Sequence, residues 1–418
     1  MRINRRGAVL AGLGVWAGPA VNAQAATDPL DGAALYADVK TYSGLGIHRT
    51  GLPGDTATSL WLERALTAAG YAVESQAFDY PVFELGRSDL TLGDHRIAGF
   101  PYWTPKTTPD GGLTAPLSAT GQAGTILVIS LRAGSGGGLY APPPPPISDG
   151  VASGAAAVIA ITENPLGEMS ALNRTPRAAP WPVPVLLVAG REGAALKAAA
   201  EKGQTATLRL EGRTVAGKAE NVIARRARPG KHLVVSTPKS GWLHCAGERG
   251  SGVAIWLGLA RWLATTEHNL TLVCPSGHEF DGYGGHLFTE TLPPKPADTK
   301  LWLHIGANVA AYDYALQDGR ITRQAGPRAD RILACSDRLM PLAATAFAGQ
   351  PGYEKPFDID ERKPPGEVAL FQSLGYAPLI GVVAGHPLHH TPIDLPDVTD
   401  GKVLEPVARG LKAMLVHA

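Results

Sequence analysis

The sequence predicts an α/β protein with a mostly parallel sheet that carries helices on both faces. Residues 233–236 and 270–273 are short apolar segments with the length of buried strands, and residues 252–264 between them are apolar over the length of a helix. The composition is 44% hydrophobic, which is ample for a core, and 50 Gly and 35 Pro residues provide many turns. In such a βαβ succession, ligand sites lie at the carboxyl ends of the strands.

The N-terminus has the pattern of an export signal. Arginines within the first six positions precede an apolar run over residues 8–21, and Ala23 and Ala25 supply the small residues that signal peptidase requires. We therefore predict that residues 1–25 are removed and that the protein is periplasmic or secreted. The apolar run is too short and too rich in glycine for a membrane span, so no stable membrane anchor is expected. The adjacent arginines leave the twin-arginine pathway open beside the general one.

The first part of the mature chain reads as the opening of the α/β domain. Residues 33–42 and 59–69 have helical spacing, and residues 71–80 alternate between apolar and polar like a strand. We assign residues 26–112 and 216–418 to this domain.

Residues 113–215 differ in character and are predicted to form an insertion. Strand-like segments at 124–132 and 205–210 enclose a helical segment at 191–202. This succession is similar to the protease-associated domain, a β-rich module of secreted exopeptidases. The proline run at 142–146 predicts a stiff polyproline loop, with a ligand for a proline-reading module as the alternative.

Charge and cysteine content exclude several classes of function. The chain has 38 basic and 37 acidic residues, so its net charge of +1 gives no field that would favour nucleic acid. Only Cys245, Cys274 and Cys335 are present, so a disulfide framework does not hold the fold together. Cys245 is read either as a small buried residue or as a reactive thiol.

The residues that carry chemistry follow one another in a fixed order. They are Thr237 with Lys239, Glu248 with Arg249, His278 with Glu279, then His304, Glu367, and His390 with Asp394. This order resembles the zinc exopeptidases of the aminopeptidase and glutamate carboxypeptidase type, and the resemblance covers residues 31–418. It implies a zinc-exopeptidase-like α/β domain and an activity on peptide or amide bonds.

The resemblance implies metal ligands at Glu248, Glu279, His304 and His390. Glu248 falls at the position of the bridging aspartate, and His386 or His389 competes with His390 if the alignment slips. The first His-x-Asp motif of the family is replaced by Thr237 and Lys239, and a protonated lysine cannot bind zinc. We therefore expect one zinc ion rather than two, or none. His244 is read either as a replacement ligand or as a core histidine.

The resemblance also implies the roles of the other residues. His278 stands where the family has its general base, with Glu279 beside it, so these two are the predicted catalytic residues. Lys239, Arg249 and Glu367 are the predicted substrate-binding residues. Lys239 could instead replace one metal's charge, and Arg249 could instead pair with a carboxylate as structure.

The function expected from these residues is an exported metal-dependent hydrolase of amide or peptide bonds, aminopeptidase-like, with a remodelled mononuclear site. Its substrate would be a peptide or an N-acyl small molecule. The alternative is an inactive homologue that binds peptides or a small ligand in the same cleft, because part of the ligand set is replaced.

Overall fold

The computed structural model describes residues 28–132, 145–174 and 179–417. The predicted export signal and most of the proline run lie outside these ranges. No helix within them is long and apolar enough to span a membrane.

The strands were predicted in part, and the structure gives their bounds. They are β1 (Ala72–Leu92), β2 (His95–Pro101), β3 (Leu113–Ser118), β4 (Ile126–Leu131), β5 (Ala157–Thr162), β6 (Val185–Ala189), β7 (Thr205–Arg226), β8 (His232–Ser236), β9 (Asn269–Cys274), β10 (Thr299–Ile305), β11 (Tyr312–Gln317), β12 (Arg320–Pro327), β13 (Ile332–Cys335), β14 (Phe357–Asp358) and β15 (Leu379–Val383).

The α-helices of the described residues fall between these strands and at the two ends. They are α1 (Gly32–Gly44), α2 (Pro53–Ala68), α3 (Pro145–Ala152), α4 (Gly193–Glu201), α5 (Ser251–Leu263), α6 (Tyr283–Thr291), α7 (Met340–Ala346), α8 (Val368–Ser373) and α9 (Gly401–His417). A π-helical turn, Ala246–Gly250, leads directly into α5, and a 3₁₀ turn, His278–Phe280, precedes α6.

The centre of the sheet is parallel. Strands β9, β8, β10 and β15 lie side by side in this order and run in the same direction. On one side β7 pairs antiparallel with β9, and on the other β13 pairs antiparallel with β15. The mostly parallel centre agrees with the fold class that the sequence predicts.

Helices cover both faces of this sheet. Leu233 and Val235 of β8 belong to the buried cluster that also includes residues of α1, α5 and α9. Val234 belongs instead to the cluster that includes Phe288 of α6 and Phe371 of α8. Successive residues of a strand point to opposite faces, so the two clusters lie on opposite sides of the sheet, and the predicted layering is confirmed.

Strands β1 and β7 extend from this sheet into a second group of strands. They pair antiparallel from Ala72 with Arg225 to Leu92 with Ala206, interrupted by one irregularity. Beyond the main sheet, β2, β6, β5, β4 and β3 follow in order from β1 back to β7, so the pairings close a ring. The ring includes β2, which precedes residue 113, so it is larger than the predicted insertion. An insertion bounded at 113 and 215 stays a prediction.

Candidate active site

The predicted chemical residues lie where the parallel strands end. Strand β8 ends at Ser236, β9 ends at Cys274 and β10 ends at Ile305, and the loops that follow them carry most of the motif residues. The carboxyl ends of parallel strands meet at one edge of a sheet, so these loops are neighbours.

His278 and Glu367 form a pair at this edge. His278 Nδ1 lies 3.1 Å from Glu367 Oε1 within hydrogen-bonding distance. Burial by itself would raise the pKa of the Glu367 carboxyl, but the imidazoles of His278 and His304 outweigh it and lower this pKa well below its usual range. Glu367 is therefore ionised and accepts the Nδ1 proton of His278, which leaves the lone pair on Nε2 of that ring.

His304 contacts the other oxygen of Glu367. Its Nε2 atom is 2.8 Å from Oε2, although the contact lacks the alignment of a hydrogen bond. On the opposite side of the ring, Nδ1 is 2.9 Å from the Ser236 hydroxyl, which accepts the indole N–H of Trp302 at 2.8 Å. Because Glu367 is ionised and faces Nε2, the ring proton of His304 lies on Nε2, and the Ser236 hydroxyl donates to Nδ1.

Two cavities adjoin this group. One of about 280 Å³ is lined by His278, His304 and Glu367 together with the aromatic rings of Phe288, Trp302 and Phe371. The other, of about 430 Å³, shares the two histidines and Glu367 and extends towards His389. An apolar cavity with a few convergent polar groups is the usual form of a small-molecule site.

Lys239 does not line either cavity. Its ammonium is fully buried and forms an ion pair with Asp55, whose other oxygen accepts the hydroxyl of Ser276 at 2.7 Å. The substrate-binding role predicted for Lys239 has no support in this position, because the charge is already matched inside the protein.

Glu279 is also engaged in the interior. Its Oε1 atom accepts the backbone N–H and the hydroxyl of Thr50 at 2.6 and 2.8 Å, and Oε2 accepts the Ser240 hydroxyl at 2.7 Å. Both carboxylate oxygens of Glu279, which was predicted to bind a metal, therefore already accept hydrogen bonds from the protein.

Glu248 and Arg249 lie in the π-helical turn that starts after Cys245, a residue with φ of 49°. The N–H groups of Gly247 and Glu248 donate to the Asp394 carboxyl at 2.7 and 3.0 Å, which fixes this turn. Burial raises the pKa of Asp394 to about 7 despite these donors. π-Helical turns occur frequently at functional sites.

Glu248 contacts two groups through one oxygen. Arg249 Nη2 lies 3.1 Å from Oε1, and His390 Nε2 lies 3.2 Å from the same atom, neither with the alignment of a hydrogen bond. Burial would raise the pKa of Glu248, but His390, His389 and Arg249 together hold it well below its usual range. Glu248 is thus an ionised carboxylate next to a guanidinium, and both side chains are buried.

The ring protons of the two adjacent histidines follow from their partners. His390 Nδ1 donates to the Ala171 carbonyl at 2.9 Å, so Nε2 is the ring atom that faces Glu248. His389 Nδ1 is 2.9 Å from Asn308 Nδ2, which also donates to the Ala384 carbonyl at 3.1 Å. The Ala384 contact fixes the amide orientation, so His389 accepts at Nδ1 and carries its proton on Nε2.

The residues that could hold a metal are therefore fewer than predicted. Within the described parts of the chain, the group whose ligand atoms lie within 4.8 Å of one another is Glu248, His389 and His390. His304 and Glu279 are not among them. The structure brings Glu248 and His390 together as predicted, but places Glu279 and His304 in other hydrogen-bond networks.

Zinc fits this group poorly. A catalytic zinc site normally has three protein ligands, whereas only Glu248 and His390 have ligand atoms free of hydrogen bonds here, since His389 accepts at Nδ1 and carries a proton on Nε2. An ion about 2.0–2.2 Å from Glu248 Oε1 would lie within about 5 Å of the Arg249 guanidinium. At an effective dielectric constant of about 20, the repulsion would cost about 7 kcal/mol.

The remaining candidates have structural partners. His386 Nε2 donates to the Tyr312 carbonyl at 2.6 Å, since its Nδ1 accepts the N–H of Leu388. His244 Nδ1 is 3.3 Å from the Ser43 carbonyl, and Cys245 is a buried free thiol. These positions agree with the structural alternatives for His244 and Cys245.

Several residues of the site carry no signal in the sequence. Thr50 and Ser240 bind Glu279, Ser236 binds His304, and Ala171 binds His390 through its backbone. Ala171 lies in the predicted insertion, far from the motifs, and a backbone carbonyl leaves no trace in residue identity.

Solved structures of known proteins are similar to this one over nearly the whole chain. A zinc aminopeptidase from Bacillus subtilis is 16% identical with a TM-score of 0.70 and covers 93% of this chain and 95% of its own. The aminopeptidase from Aneurinibacillus sp. strain AM-1 is 19% identical with a TM-score of 0.64, and the match covers 93% of this chain and 94% of that one. A peptidase M28 precursor from Shewanella amazonensis SB2B is 14% identical with a TM-score of 0.72, and the match covers 91% of each chain.

These likenesses show that the chain has the zinc-exopeptidase fold that the motif order implies. No family model matches the sequence, and no curated protein matches it.

Proposed function

We propose that this protein is an exported hydrolase of amide or peptide bonds in which His278 handles the proton. The observation that carries the proposal is the His278–Glu367 pair in the wall of the aromatic cavity. A base within reach of a cavity and oriented by an ionised carboxylate is the arrangement that general-base hydrolysis requires.

The roles of the residues follow from their hydrogen bonds. His278 accepts a proton from water at Nε2 while the water oxygen attacks the carbonyl carbon, and it returns the proton to the amine as the C–N bond breaks. Glu367 holds the imidazole through Nδ1 and stabilises the imidazolium that forms. His304 holds the second oxygen of Glu367 and so fixes the carboxylate.

The cavity favours a substrate with an apolar group beside the bond that is cleaved. Phe288, Trp302 and Phe371 provide the apolar wall, and Trp302 stacks on Phe371 with ring centroids 4.1 Å apart. A peptide or an N-acyl small molecule meets this requirement. Arg249 is not part of this wall, so its predicted contact with substrate is not included in the proposal.

A zinc ion bound in this site would polarise the carbonyl group of the substrate. Glu248 and His390 are the residues that would hold it here, and at most one ion is compatible with them. Because the side chains fit zinc poorly, no step of the proposed reaction depends on it.

The test is turnover of the mature protein on aminoacyl and N-acyl p-nitroanilides, with and without added zinc. His278→Gln should lower turnover by about 10²–10⁴-fold, the usual contribution of a general base. The matched control is His95→Gln, since His95 is exposed and distant in the β-rich ring. Equal turnover of His278→Gln and His95→Gln would refute the assignment.

A second function is favoured by the buried Glu248–Arg249 pair, which occupies the family's ligand position. In this alternative the protein binds peptides or a small ligand in the cavity without cleaving them. Saturable binding of a p-nitroanilide with no release of p-nitroaniline would support it.

A further inference from the structure

The buried group formed by Glu248, Arg249, His389 and His390, here called the Glu248 group, is not used by the proposed reaction. Glu248 and Arg249 are 0% and 1% exposed, so neither charge is screened by solvent. A buried carboxylate is costly unless an opposite charge lies close to it. The group therefore needs a cation.

We infer that the Arg249 guanidinium is the resident cation of the Glu248 group and that it keeps divalent metal ions out of the site. It lies 3.1 Å from Glu248 Oε1, the oxygen that also contacts His390 Nε2 at 3.2 Å. A guanidinium cannot lose its proton in a protein, so its charge is permanent.

The local backbone fixes where the Arg249 side chain begins, whereas the guanidinium nitrogens have no hydrogen-bond partner within the described residues and contact Glu248 as an ion pair. Arg249 N–H donates to the Cys245 carbonyl at 2.9 Å, within a turn that the Asp394 carboxyl fixes through Gly247 and Glu248. A Cβ atom at Gly241 would lie 2.8 Å from Cys245 Sγ, so glycine at this position gives the residue before the turn its space.

The small number of side chains that are available as metal ligands also argues against a bound metal ion. Glu279 is bound by Thr50 and Ser240, and His389 is protonated on Nε2 through its contact with Asn308. Within the Glu248 group, Glu248 and His390 alone have ligand atoms free of hydrogen bonds, and Glu248 already contacts Arg249. A metal ion therefore needs the removal of the Arg249 charge and one further ligand, which the side-chain oxygen of Asn or Gln at position 249 would supply.

The inference is independent of hydrolysis, because metal uptake is measured without substrate. Full-length mature protein is treated with EDTA, dialysed, and titrated with Zn²⁺ by calorimetry and with Co²⁺ by absorption spectroscopy. The wild type should take up no stoichiometric metal. Arg249→Asn removes the charge and should bind one ion, with an affinity at least on the order of 10³-fold above the wild type.

Matched variants separate charge from shape. Arg249→Lys keeps a cation and should remain free of metal, whereas Arg249→Gln removes the charge with a longer side chain and should gain an ion as Arg249→Asn does. In the Arg249→Asn background, His390→Ala should abolish the uptake and the cobalt spectrum. Circular dichroism and cooperative unfolding show that each variant is folded.

Either of two results would overturn the inference. The first is stoichiometric zinc in the wild type that His390→Ala removes. The second is a folded Arg249→Asn or Arg249→Gln protein that takes up no metal. A loss of p-nitroanilide turnover in any of these variants would bear on the proposed hydrolase function. It would not affect the conclusion about metal binding, which is measured without substrate.

Discussion

The ammonium of Lys239 forms a buried ion pair with the carboxylate of Asp55, 184 positions away in the chain. Asp55 lies in the first turn of α2 and also accepts the N–H of Gly51 at 3.0 Å and the Ser276 hydroxyl at 2.7 Å. The pair thus joins the start of α2 to the loops that follow β8 and β9.

Removal of the Lys239 charge should destabilise the protein. Lys239→Met keeps most of the side-chain volume but leaves Asp55 as an unpaired buried charge, which typically costs about 3–5 kcal/mol. Chemical denaturation of the wild type and the variant measures this difference. Lys239→Met combined with Asp55→Asn removes both charges and should recover part of the loss. A stability unchanged in Lys239→Met would show that the ion pair is not formed.

Stability should fall in acid, and His48 should contribute to the fall. Burial first, and then the charge of Lys239, lower the pKa of His48 to about 3 from an ordinary value near 6.5. Between these two values the unfolded chain binds a proton that the folded protein does not. The free energy of unfolding therefore decreases as pH drops from about 6.5 to about 3, by about 1.4 kcal/mol per pH unit, and His48 has no effect above that range.

The His48 contribution is measured as a difference between variants. Denaturation of His48→Gln between pH 7 and pH 4 should show a slope smaller by one proton than that of the wild type. His95→Gln is the control for the loss of an exposed histidine. Equal slopes for His48→Gln and the wild type would contradict the buried neutral imidazole.

Glu367→Gln should impair turnover more than substrate binding. The amide keeps the shape and a hydrogen bond to His278 but has no charge to stabilise the imidazolium that forms in the reaction. We expect kcat to fall by about 10²-fold with a much smaller change in KM. Initial rates over a range of p-nitroanilide concentrations separate the two. A rise in KM with kcat unchanged would assign Glu367 to substrate binding, as the sequence suggests.

Shortening the β1–β7 pair tests whether the β-rich ring is separable. Glu84 and Arg213 face each other in the two strands, so an Asn-Gly turn can join them directly. The shortened chain should unfold cooperatively but at a lower temperature, because Trp242 loses its contacts with Phe100 and Trp103. It should also lose activity, since Asn173, which lines the aromatic cavity, lies in the removed segment.

A second chain, cut at Leu92 and Ala206, serves as the control because it keeps the whole of β1 and all of β7 except Thr205. If neither shortened chain unfolds cooperatively, the ring is required for folding, and an independent insertion is the wrong description.

The mature protein should begin near Ala26. Expression with the full N-terminus, followed by cell fractionation and N-terminal sequencing of the exported form, checks this prediction. Recovery of Met1 from the cytoplasmic fraction would contradict it.

The sequence by itself determined the elements at the centre of the sheet. The apolar segments at 233–236 and 270–273 became β8 and β9, and the segment between them became α5, because hydrophobic periodicity depends on neighbours in the chain. Lys239 and His278 follow the two strand segments closely in the chain, so the sequence also placed them in the loops after β8 and β9.

Only the tertiary structure decided which side chains meet. Glu279 faces Thr50, His304 faces Glu367, and Lys239 faces Asp55, and each pair is separated by many residues in the chain. A motif specifies a position on the backbone, but the partner of a buried polar group depends on which donors and charges the fold places within about 3 Å of it. For that reason the sequence identified Glu248 and Arg249 as candidates, while the fold determined that they contact each other.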